Sequence, residues 1–139
     1  MTIVQRVLDE VRAHATEDAP RECCGMLIGT PTAITDSARA RNLADGTTRF
    51  LIDPQDHVTA LRRARAAALD VVGFYHSHPR SRAFPSATDV AECGYAGVVH
   101  MIIGQQDSDT EVRLFTIDGA AVREEPLVVI DMADDRTGS

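Results

Sequence analysis

Two histidines separated by one residue, and an aspartate that follows the second after a loop, are residue types that could hold a metal ion. They are His76, His78 and Asp89; His76 ends the β-rich run at 71–76, and His78 follows it after one residue. Because side chains two residues apart on a strand project from the same face, both imidazoles are expected to point the same way. The loop after Pro79 can then return Asp89 as a third ligand. Two histidines and one carboxylate leave one tetrahedral position open for water, so the spacing predicts a catalytic zinc site rather than a closed structural one.

Ser86 and Glu22 are the other residues to which we assign chemistry. Ser86 with Asp89 three residues on also matches a helix-capping pattern, and taken alone this pair would be interpreted as a cap. With the histidines at this spacing a functional site is favoured, and the cap would fix the loop that presents Asp89. Glu22 stands before a predicted buried strand and by itself would be an exposed loop acid. Beside a metal site we interpret it as a general base that takes a proton from water and later hands it to the leaving amine.

Together these residues resemble the JAMM (MPN-plus) metalloprotease family. The family pattern is a glutamate, then His-Ser/Thr-His-Pro, then a serine. Seven residues separate the second histidine from the serine, and an aspartate follows three residues after the serine. The chain matches it without gap or substitution at Glu22, His76-Ser77-His78-Pro79, Ser86 and Asp89. The stretches 22–29 and 50–54 also look like the family's first strand and the start of its second helix, so the resemblance covers about residues 1–120.

The resemblance implies an α/β fold with a mixed sheet flanked by helices, similar to the cytidine-deaminase-like fold. It implies zinc on His76, His78 and Asp89, with Glu22 as acid and base and Ser86 steadying the oxyanion of the tetrahedral intermediate. Family members cut peptide or isopeptide bonds after the C-terminal glycines of ubiquitin-like proteins. A short stand-alone chain resembles the bacterial type, which implies a small β-grasp sulfur-carrier protein as substrate, in some cases with release of cysteine.

Recognition of such a substrate would use an extended glycine tail laid along a sheet edge as an added strand. Arg80 and Arg82, next to the predicted site, could meet acidic groups on the partner, although loop arginines are more often simply solvated. The sequence leaves open which protein is the substrate, whether the bond is peptide or isopeptide, and the oligomeric state.

Other classes of protein use similar residues. Non-haem iron oxygenases and cupins also present two histidines and a carboxylate, but the oxygenase carboxylate usually stands where this chain has His78. Cupins have a glutamate shortly after the second histidine, in the region of Arg82 and Ala83, and an all-β cupin does not accommodate two amphipathic helices. A zinc deaminase would need Pro-Cys-x-x-Cys, which is absent. The remaining alternative is an inactive scaffold or binding module of the same fold, which would be expected to have lost metal ligands.

Length and composition set the wider limits. The 139 residues fit one domain, which we place at 1–130, followed by an acidic flexible tail at 131–139. The net charge of −7 argues against a nucleic-acid-binding protein. No apolar run approaches the roughly 20 residues of a membrane-spanning helix. Because the N-terminus does not match a secretory signal, a cytoplasmic location is expected. The three cysteines are expected to be small buried side chains, because the chain has no Cys-x-x-Cys pair: Cys23, Cys24 and Cys93.

Helices and strands are predicted from hydrophobic spacing and turn residues. One helix is predicted over 2–16, and Asp53-Pro54 predicts the N-cap and first turn of a second. The apolar side of that second helix is expected to carry Val58, Leu61, Arg65, Ala68 and Leu69. A short helix is expected from Ser86 to about Gly94. Strands are predicted at 23–30, 32–41, 71–76, 98–103, 111–117 and 121–130, with turns at Asp45-Gly46 and Asp118-Gly119. Of the remaining histidines, His14 and His57 are expected to face solvent and His100 to lie in the core.

Overall fold

A computed structural model describes residues 1–44, 49–91, 97–106 and 109–131. Its centre is an eight-stranded mixed sheet with helices packed against both faces, which confirms the predicted fold class. In chain order the elements are β1 Thr2–Val4, α1 Gln5–Asp18, β2 Cys24–Thr30, β3 Ala33–Ala40, α2 Pro54–Ala66, β4 Asp70–His78, α3 Ala87–Ala91, β5 Val99–Gln106, β6 Asp109–Asp118, β7 Ala121–Glu125 and β8 Val128–Ile130. Across the sheet the order is β7-β6-β5-β4-β2-β3-β1-β8.

Strand β4 lies in the middle of the sheet, antiparallel to β2 and parallel to β5. Its side chains alternate between two cores, because successive residues of a strand point to opposite faces. Tyr75 belongs to the larger core, which α1 covers with residues such as Val7 and Val11. Phe74 belongs to a smaller core with Ala60 of α2. Each large aliphatic side chain buried there contributes roughly 1.5–3 kcal/mol to folding. The alternation places His76 and His78 on the α2 face.

The start of α2 confirms the predicted cap, but its predicted apolar side is wrong. Asp53 accepts a hydrogen bond from the Gln55 amide through Oδ1 at 2.8 Å, with Pro54 as the first helical residue. The buried residues are Ala60 and Ala64, not the larger side chains assigned to that face. Because small side chains face the sheet here, the helix can approach it closely. The side predicted from the sequence carries other residues, of which Val58 is 40% exposed: Val58, Leu61, Arg65, Ala68 and Leu69.

The N-terminal helix begins later than predicted and ends later. Residues Thr2–Val4 form β1, which pairs in parallel with β3 and β8. These residues are β-branched and fit a sheet better than a helix, and Ile3 becomes fully buried in the larger core. The helix runs on to Asp18, just before Pro20.

Of the three histidines outside the predicted site, one is buried and two are half-buried. His14 is expected from the sequence to face solvent, but it is only 4% exposed, and its Nδ1 lies 2.6 Å from the Tyr75 hydroxyl. His57 is half-buried, with its ring edge-on to Phe74 at a centroid distance of 5.3 Å. His100 is half-buried on β5, with its ring centroid 6.5 Å from that of Phe74. Helical spacing alone does not reveal that α1 turns His14 toward the sheet.

The last predicted strand, 121–130, is two strands in the structure. Pro126, which has no amide N–H to donate, separates β7 from β8. The two strands lie at opposite ends of the strand order, β7 on β6 and β8 on β1. The sheet therefore curls until a two-residue connection joins its ends. The predicted Asp118-Gly119 turn is confirmed, with Gly119 at φ +61.

Some predictions lie partly or wholly outside the described residues. The Asp45-Gly46 turn and the end of α3 near Gly94 are two of these. The division into a domain at 1–130 and a tail stays a prediction. Within the described ranges, no helix has the length and apolar character needed to cross a bilayer. The cytoplasmic location also stays a prediction.

Candidate metal centre

Four of the predicted site residues converge where β4 ends. His76 and His78 are the last two residues of β4 whose side chains point to the α2 face, and Asp89 reaches them from α3. Glu22 precedes β2, whose Cys24 pairs with His76 across the ladder. Glu22 and both histidines are each less than 9% exposed, and the Asp89 side chain is 10% exposed. Buried ionisable groups in this number are typical of a functional site.

The donor atoms of the two histidines and the aspartate form a compact triangle. The two Nε2 atoms of His76 and His78 are 3.1 Å apart. Asp89 Oδ2 lies 3.1 Å from His76 Nε2 and 3.0 Å from His78 Nε2. Ligands at about 2.0–2.1 Å from a tetrahedral zinc ion lie about 3.3 Å from one another. The three atoms therefore have the mutual spacing that a tetrahedral zinc site needs.

The tautomer of neutral His78 leaves its Nε2 atom free to bind a cation in this triangle. Its Nδ1 lies 3.0 Å from the Arg82 carbonyl oxygen, which can only accept, so Nδ1 carries the proton. In the neutral ring, Nε2 then presents a lone pair toward the carboxylate of Asp89. Two lone pairs facing each other in a buried site repel unless a positive charge lies between them, either a proton taken up by the metal-free ring or a metal ion. A histidine held to a backbone carbonyl in this way is the usual arrangement of a metal ligand.

Two neighbours hold the ligands in place. The ring of Phe50 stacks on that of His76, with centroids 4.3 Å apart and planes 21° from parallel. The Ser86 amide donates to Asp89 Oδ2 at 2.8 Å, and the Asp89 amide donates to Ser86 Oγ at 3.0 Å. This reciprocal pair confirms the predicted cap. Because Ser86 Oγ only accepts in it, its hydroxyl proton remains available to a substrate oxygen.

Glu22 lies across from the triangle without being part of it. A ligand atom of Glu22 and those of His76 and His78 all lie within 4.8 Å of one another. Glu22 is thus a second possible carboxylate ligand, but Asp89 makes the shorter contacts to both histidines. Glu22 Oε1 is buried and has no hydrogen-bond partner among the described residues. Burial raises the pKa of Glu22 to about 7; the charge of His78 opposes this and that of Asp89 adds to it. A carboxylate with a pKa near neutrality suits a group that both takes and returns a proton.

The three triangle residues shift one another's pKa values. Burial lowers the pKa of His76, against the opposing effect of Asp89. For His78, burial also acts downward, but the hydrogen bonds to Asp89 and to the Arg82 carbonyl outweigh it and raise the pKa. Burial acts to raise the pKa of Asp89, yet its hydrogen bonds to both histidines hold it well below its ordinary value. At neutral pH the site therefore presents a carboxylate anion, as metal binding requires.

The described cysteines take no part in this chemistry. Cys23 and Cys24 are fully buried, as predicted, and Cys93 lies outside the described residues. Burial raises the pKa of Cys23 to about 11 and that of Cys24 to about 12. Both thiols stay protonated at neutral pH and are poor nucleophiles.

Several residues around the site carry no signal that spacing could reveal. Asn42 donates to the Glu22 carbonyl oxygen, and Ser77 accepts from the Cys23 amide. Arg82, whose side chain could meet a partner or be solvated according to the sequence, supports His78 through its backbone carbonyl oxygen. Its guanidinium lies 3.8 Å from Glu111 in an exposed ion pair, a contact of small energetic value.

Comparison with known sequences identifies a family that spans this site. The model for "Prokaryotic homologs of the JAB domain" matches residues 4–118. The desampylase of Haloferax volcanii is 37% identical over 99 residues, which cover 69% of this chain and 71% of that protein. The CysO-cysteine peptidase of Mycobacterium tuberculosis is 30% identical over 122 residues, which cover 86% of this chain and 84% of that protein.

Solved structures share the fold. The solution structure of protein DSY2949 from Desulfitobacterium hafniense superposes with a TM-score of 0.86 at 26% identity, covering 94% of both chains. A structure described as "JAMM: A Metalloprotease-like Zinc Site in the Proteasome and Signalosome" has a TM-score of 0.59 at 20% identity, covering 94% of this chain and 98% of that one. At that identity the second likeness concerns the fold alone.

Proposed function

Because this chain belongs to the prokaryotic homologs of the JAB domain, we propose that it is a zinc-dependent peptidase or isopeptidase that cleaves after the C-terminal Gly-Gly of a small ubiquitin-like or sulfur-carrier protein. The observation that carries the proposal is the convergence of His76, His78 and Asp89. Near them lies the Glu22 carboxylate, whose Oε1 atom has no hydrogen-bond partner among the described residues. An inactive scaffold would have no need to keep these four buried ionisable side chains together.

In the proposed reaction each residue acts through the geometry described above. His76, His78 and Asp89 would hold zinc, which as a Lewis acid polarises the scissile carbonyl and acidifies water. Glu22 takes the proton of the attacking water and returns it to the leaving amine, a double role that its raised pKa suits. Ser86 keeps its hydroxyl proton free and donates it to the oxyanion of the tetrahedral intermediate.

The names of the relatives support the substrate class. One relative is a desampylase, another a CysO-cysteine peptidase, and a third, from Thermus thermophilus, a probable TtuB-protein conjugate cleaving protease. These names describe cleavage at, or release from, small carrier proteins. We extend the class to this chain, with its choice between a peptide and an isopeptide bond left to experiment.

The test uses carrier proteins extended beyond Gly-Gly, one series by a single cysteine or short peptide and another by a lysine-linked protein. The purified enzyme is incubated with each carrier, with and without a chelator, and the products are weighed by mass spectrometry. We expect a carrier that ends at Gly-Gly, and no product in the chelated sample. The matched control is Glu22→Gln, which should keep its zinc and lose turnover by orders of magnitude.

Metal analysis separates the enzyme from an inactive scaffold of the same fold. About one zinc per chain in the purified protein supports the enzyme, because the three ligands then hold a metal as catalytic sites do. A protein that stays metal-free in added zinc and leaves every carrier intact would support the scaffold instead.

A further inference from the structure

The hydrogen bonds beside the Glu22 carboxylate are made by the backbone that follows it. Its Oε1 atom has no hydrogen-bond partner among the described residues, so nothing in that part of the chain fixes the carboxylate through this atom. The peptide unit between Glu22 and Cys23, in contrast, is held at both of its polar atoms by side chains. The Glu22 carbonyl oxygen accepts from Asn42 Nδ2 at 3.0 Å. The Cys23 amide donates to Ser77 Oγ at 2.8 Å.

Asn42 and Ser77 hold this peptide unit from two sides, and we call the pair the clamp. Ser77 is the half that belongs to β4. It is 1% exposed and stands between His76 and His78, on the opposite face of the strand. Besides accepting from the Cys23 amide, it donates its own amide to the Cys23 carbonyl oxygen at 3.1 Å. One residue therefore ties the segment that carries the base directly to the segment that carries two of the proposed ligands.

Asn42 forms the other half and uses every hydrogen-bonding position of its amide. Nδ2 donates to the carbonyl oxygens of Glu22 at 3.0 Å and Arg49 at 3.1 Å. Oδ1 accepts from the amides of Ala44 at 2.9 Å and Leu51 at 2.9 Å. An amide that makes four hydrogen bonds has one orientation only. It therefore fixes the Glu22 carbonyl relative to both ends of the loop between β3 and α2.

The same loop also touches the proposed metal ligands. Phe50, next to Leu51, stacks on His76 at 4.3 Å between centroids. The loop is thus in contact with the backbone of the base on one side and with a ligand ring on the other. The loop therefore links the backbone of the base to a ligand ring.

We propose that Asn42 and Ser77 are positioning residues for the general base, which clamp the Glu22–Cys23 peptide unit from two sides and so hold the Glu22 carboxylate opposite His76 and His78. The inference rests on the proposed function for its kinetic consequences. Its structural part, the order of the Glu22 side chain, can be measured without any substrate.

The kinetic test uses Asn42→Ala and Ser77→Ala, with Ser77→Thr as the conservative variant. Displacement of a reacting group by about 1 Å can cost about 100-fold in rate. We expect kcat to fall by roughly ten- to a hundredfold, with KM and zinc content unchanged, and Ser77→Thr to recover most of the loss because it keeps the hydroxyl. The matched control is Tyr75→Phe. It removes a buried hydroxyl from the same strand, but that hydroxyl bonds to His14 and not to the segment that carries Glu22. It should lose stability without loss of kcat.

A second arm asks whether the two residues act through Glu22. In a Glu22→Gln background, where the base is absent, Asn42→Ala and Ser77→Ala should cause no further loss of the residual rate. A further loss of the same size as in the wild-type background would show a role independent of Glu22 and overturn the proposal.

The third arm measures the zinc-free protein by NMR relaxation of the Glu22 methylene carbons. Their order should fall in Asn42→Ala and Ser77→Ala and stay at the wild-type level in Tyr75→Phe. Unchanged order in both clamp variants overturns the inference whatever the activity. A wild-type protein that cleaves no carrier refutes the proposed function, while the order measurement still decides whether the clamp positions Glu22.

Discussion

The carboxylate of Glu22 is unusual because it is buried and one of its oxygens has no described hydrogen-bond partner. Most buried acids are paired, whereas Glu22 Oε1 has no hydrogen-bond partner within the described part of the chain. Its ionised form is therefore disfavoured in the folded protein, which is why burial raises its pKa to about 7. Strain of this kind, in which a folded protein holds a poorly solvated charge, is expected where chemistry requires it.

This leads to a stability prediction for Glu22→Gln in zinc-free protein. The folded-state pKa is raised from 4.5 to about 7, so the folded state binds the proton more tightly and loses stability as the pH rises through that window. Above pH 7 the penalty is fully present and is on the order of 1–3 kcal/mol. The neutral amide has no such penalty. We expect the variant to be more stable than wild type at pH 8 and equal to it near pH 4.5, as measured by urea unfolding. A constant difference at both pH values would contradict this account.

Ser86 has two roles that one substitution separates by their readouts. As a cap its Oγ accepts from the Asp89 amide, and as a catalytic donor its hydroxyl proton goes to the substrate. Loss of one oxyanion donor typically lowers kcat by about 10²–10³-fold. For Ser86→Ala we expect a kcat loss of that size with a much smaller loss of zinc affinity, because Asp89 keeps its hydrogen bond from the Ser86 backbone amide. Titration with a zinc-chelating dye measures the affinity. Parallel losses in kcat and zinc binding would leave Ser86 with the cap role alone.

At the scale of elements, β4 is predictable from the sequence and its surroundings are less so. The alternation along 71–76 predicts a central strand, and the His-x-His spacing places both imidazoles on one face; the structure extends the strand through His78. Residue types and spacing are enough because a strand fixes side-chain direction with period two. The buried face of α2 is not predictable in the same way. Small alanines carry no strong hydrophobic signal, yet Ala60 and Ala64 are the residues that contact the sheet.

The parts of the site that sequence reasoning misses act through backbone atoms. The Arg82 carbonyl fixes the His78 tautomer, and the Glu22 carbonyl and Cys23 amide receive the bonds of Asn42 and Ser77. Nearly every residue has these backbone groups, so no residue type marks them. Only the three-dimensional path of the chain shows which of them lie beside the site.

Gly104 of β5 provides an element-scale prediction because it lets a loop approach the sheet. Gly104 pairs with His78, and a Cβ atom at this position would lie 2.2 Å from the Ala83 amide nitrogen and 2.6 Å from the Arg82 carbonyl carbon. Gly104→Ala must push this loop outward and disturb the hydrogen bond between Arg82 and His78. We expect zinc affinity to fall by about 10–100-fold, the usual cost of losing a partner of a metal-bound histidine.

The control for that prediction is Gly119→Ala in the β6–β7 turn. Gly119 has φ +61, and a Cβ atom added there would meet no described atom within 4 Å, so alanine strains the backbone without touching the site. It should lower the free energy of unfolding by about 1 kcal/mol and leave zinc affinity unchanged. Equal zinc affinity in the two variants would contradict the proposed support of His78 by the loop.

At the scale of the whole molecule, the curled sheet brings the two ends of the described chain together. β8 pairs with β1, and the Val128 amide donates to the Met1 carbonyl oxygen at 3.0 Å. Leu127, in the connection from β7, packs against the larger core. The strand itself buries little, since Val128 and Val129 are 54% and 43% exposed. Its contribution to stability therefore lies in the ladder to β1 and in the Leu127 anchor.

Two truncated chains test both this closure and the predicted boundary of the domain. A chain that ends at Pro126 loses the Leu127 anchor and leaves one side of β1 unpaired, so its free energy of unfolding should fall by about 2–4 kcal/mol. A chain that ends at Ile130 keeps β8 and removes only the proposed tail, so it should unfold at the same urea concentration as the full chain. The site lies on β4, three strands from β1, so zinc affinity should be the same in both truncated chains once they are folded. A loss of stability on removal of 131–139 alone would show that the domain extends beyond residue 130.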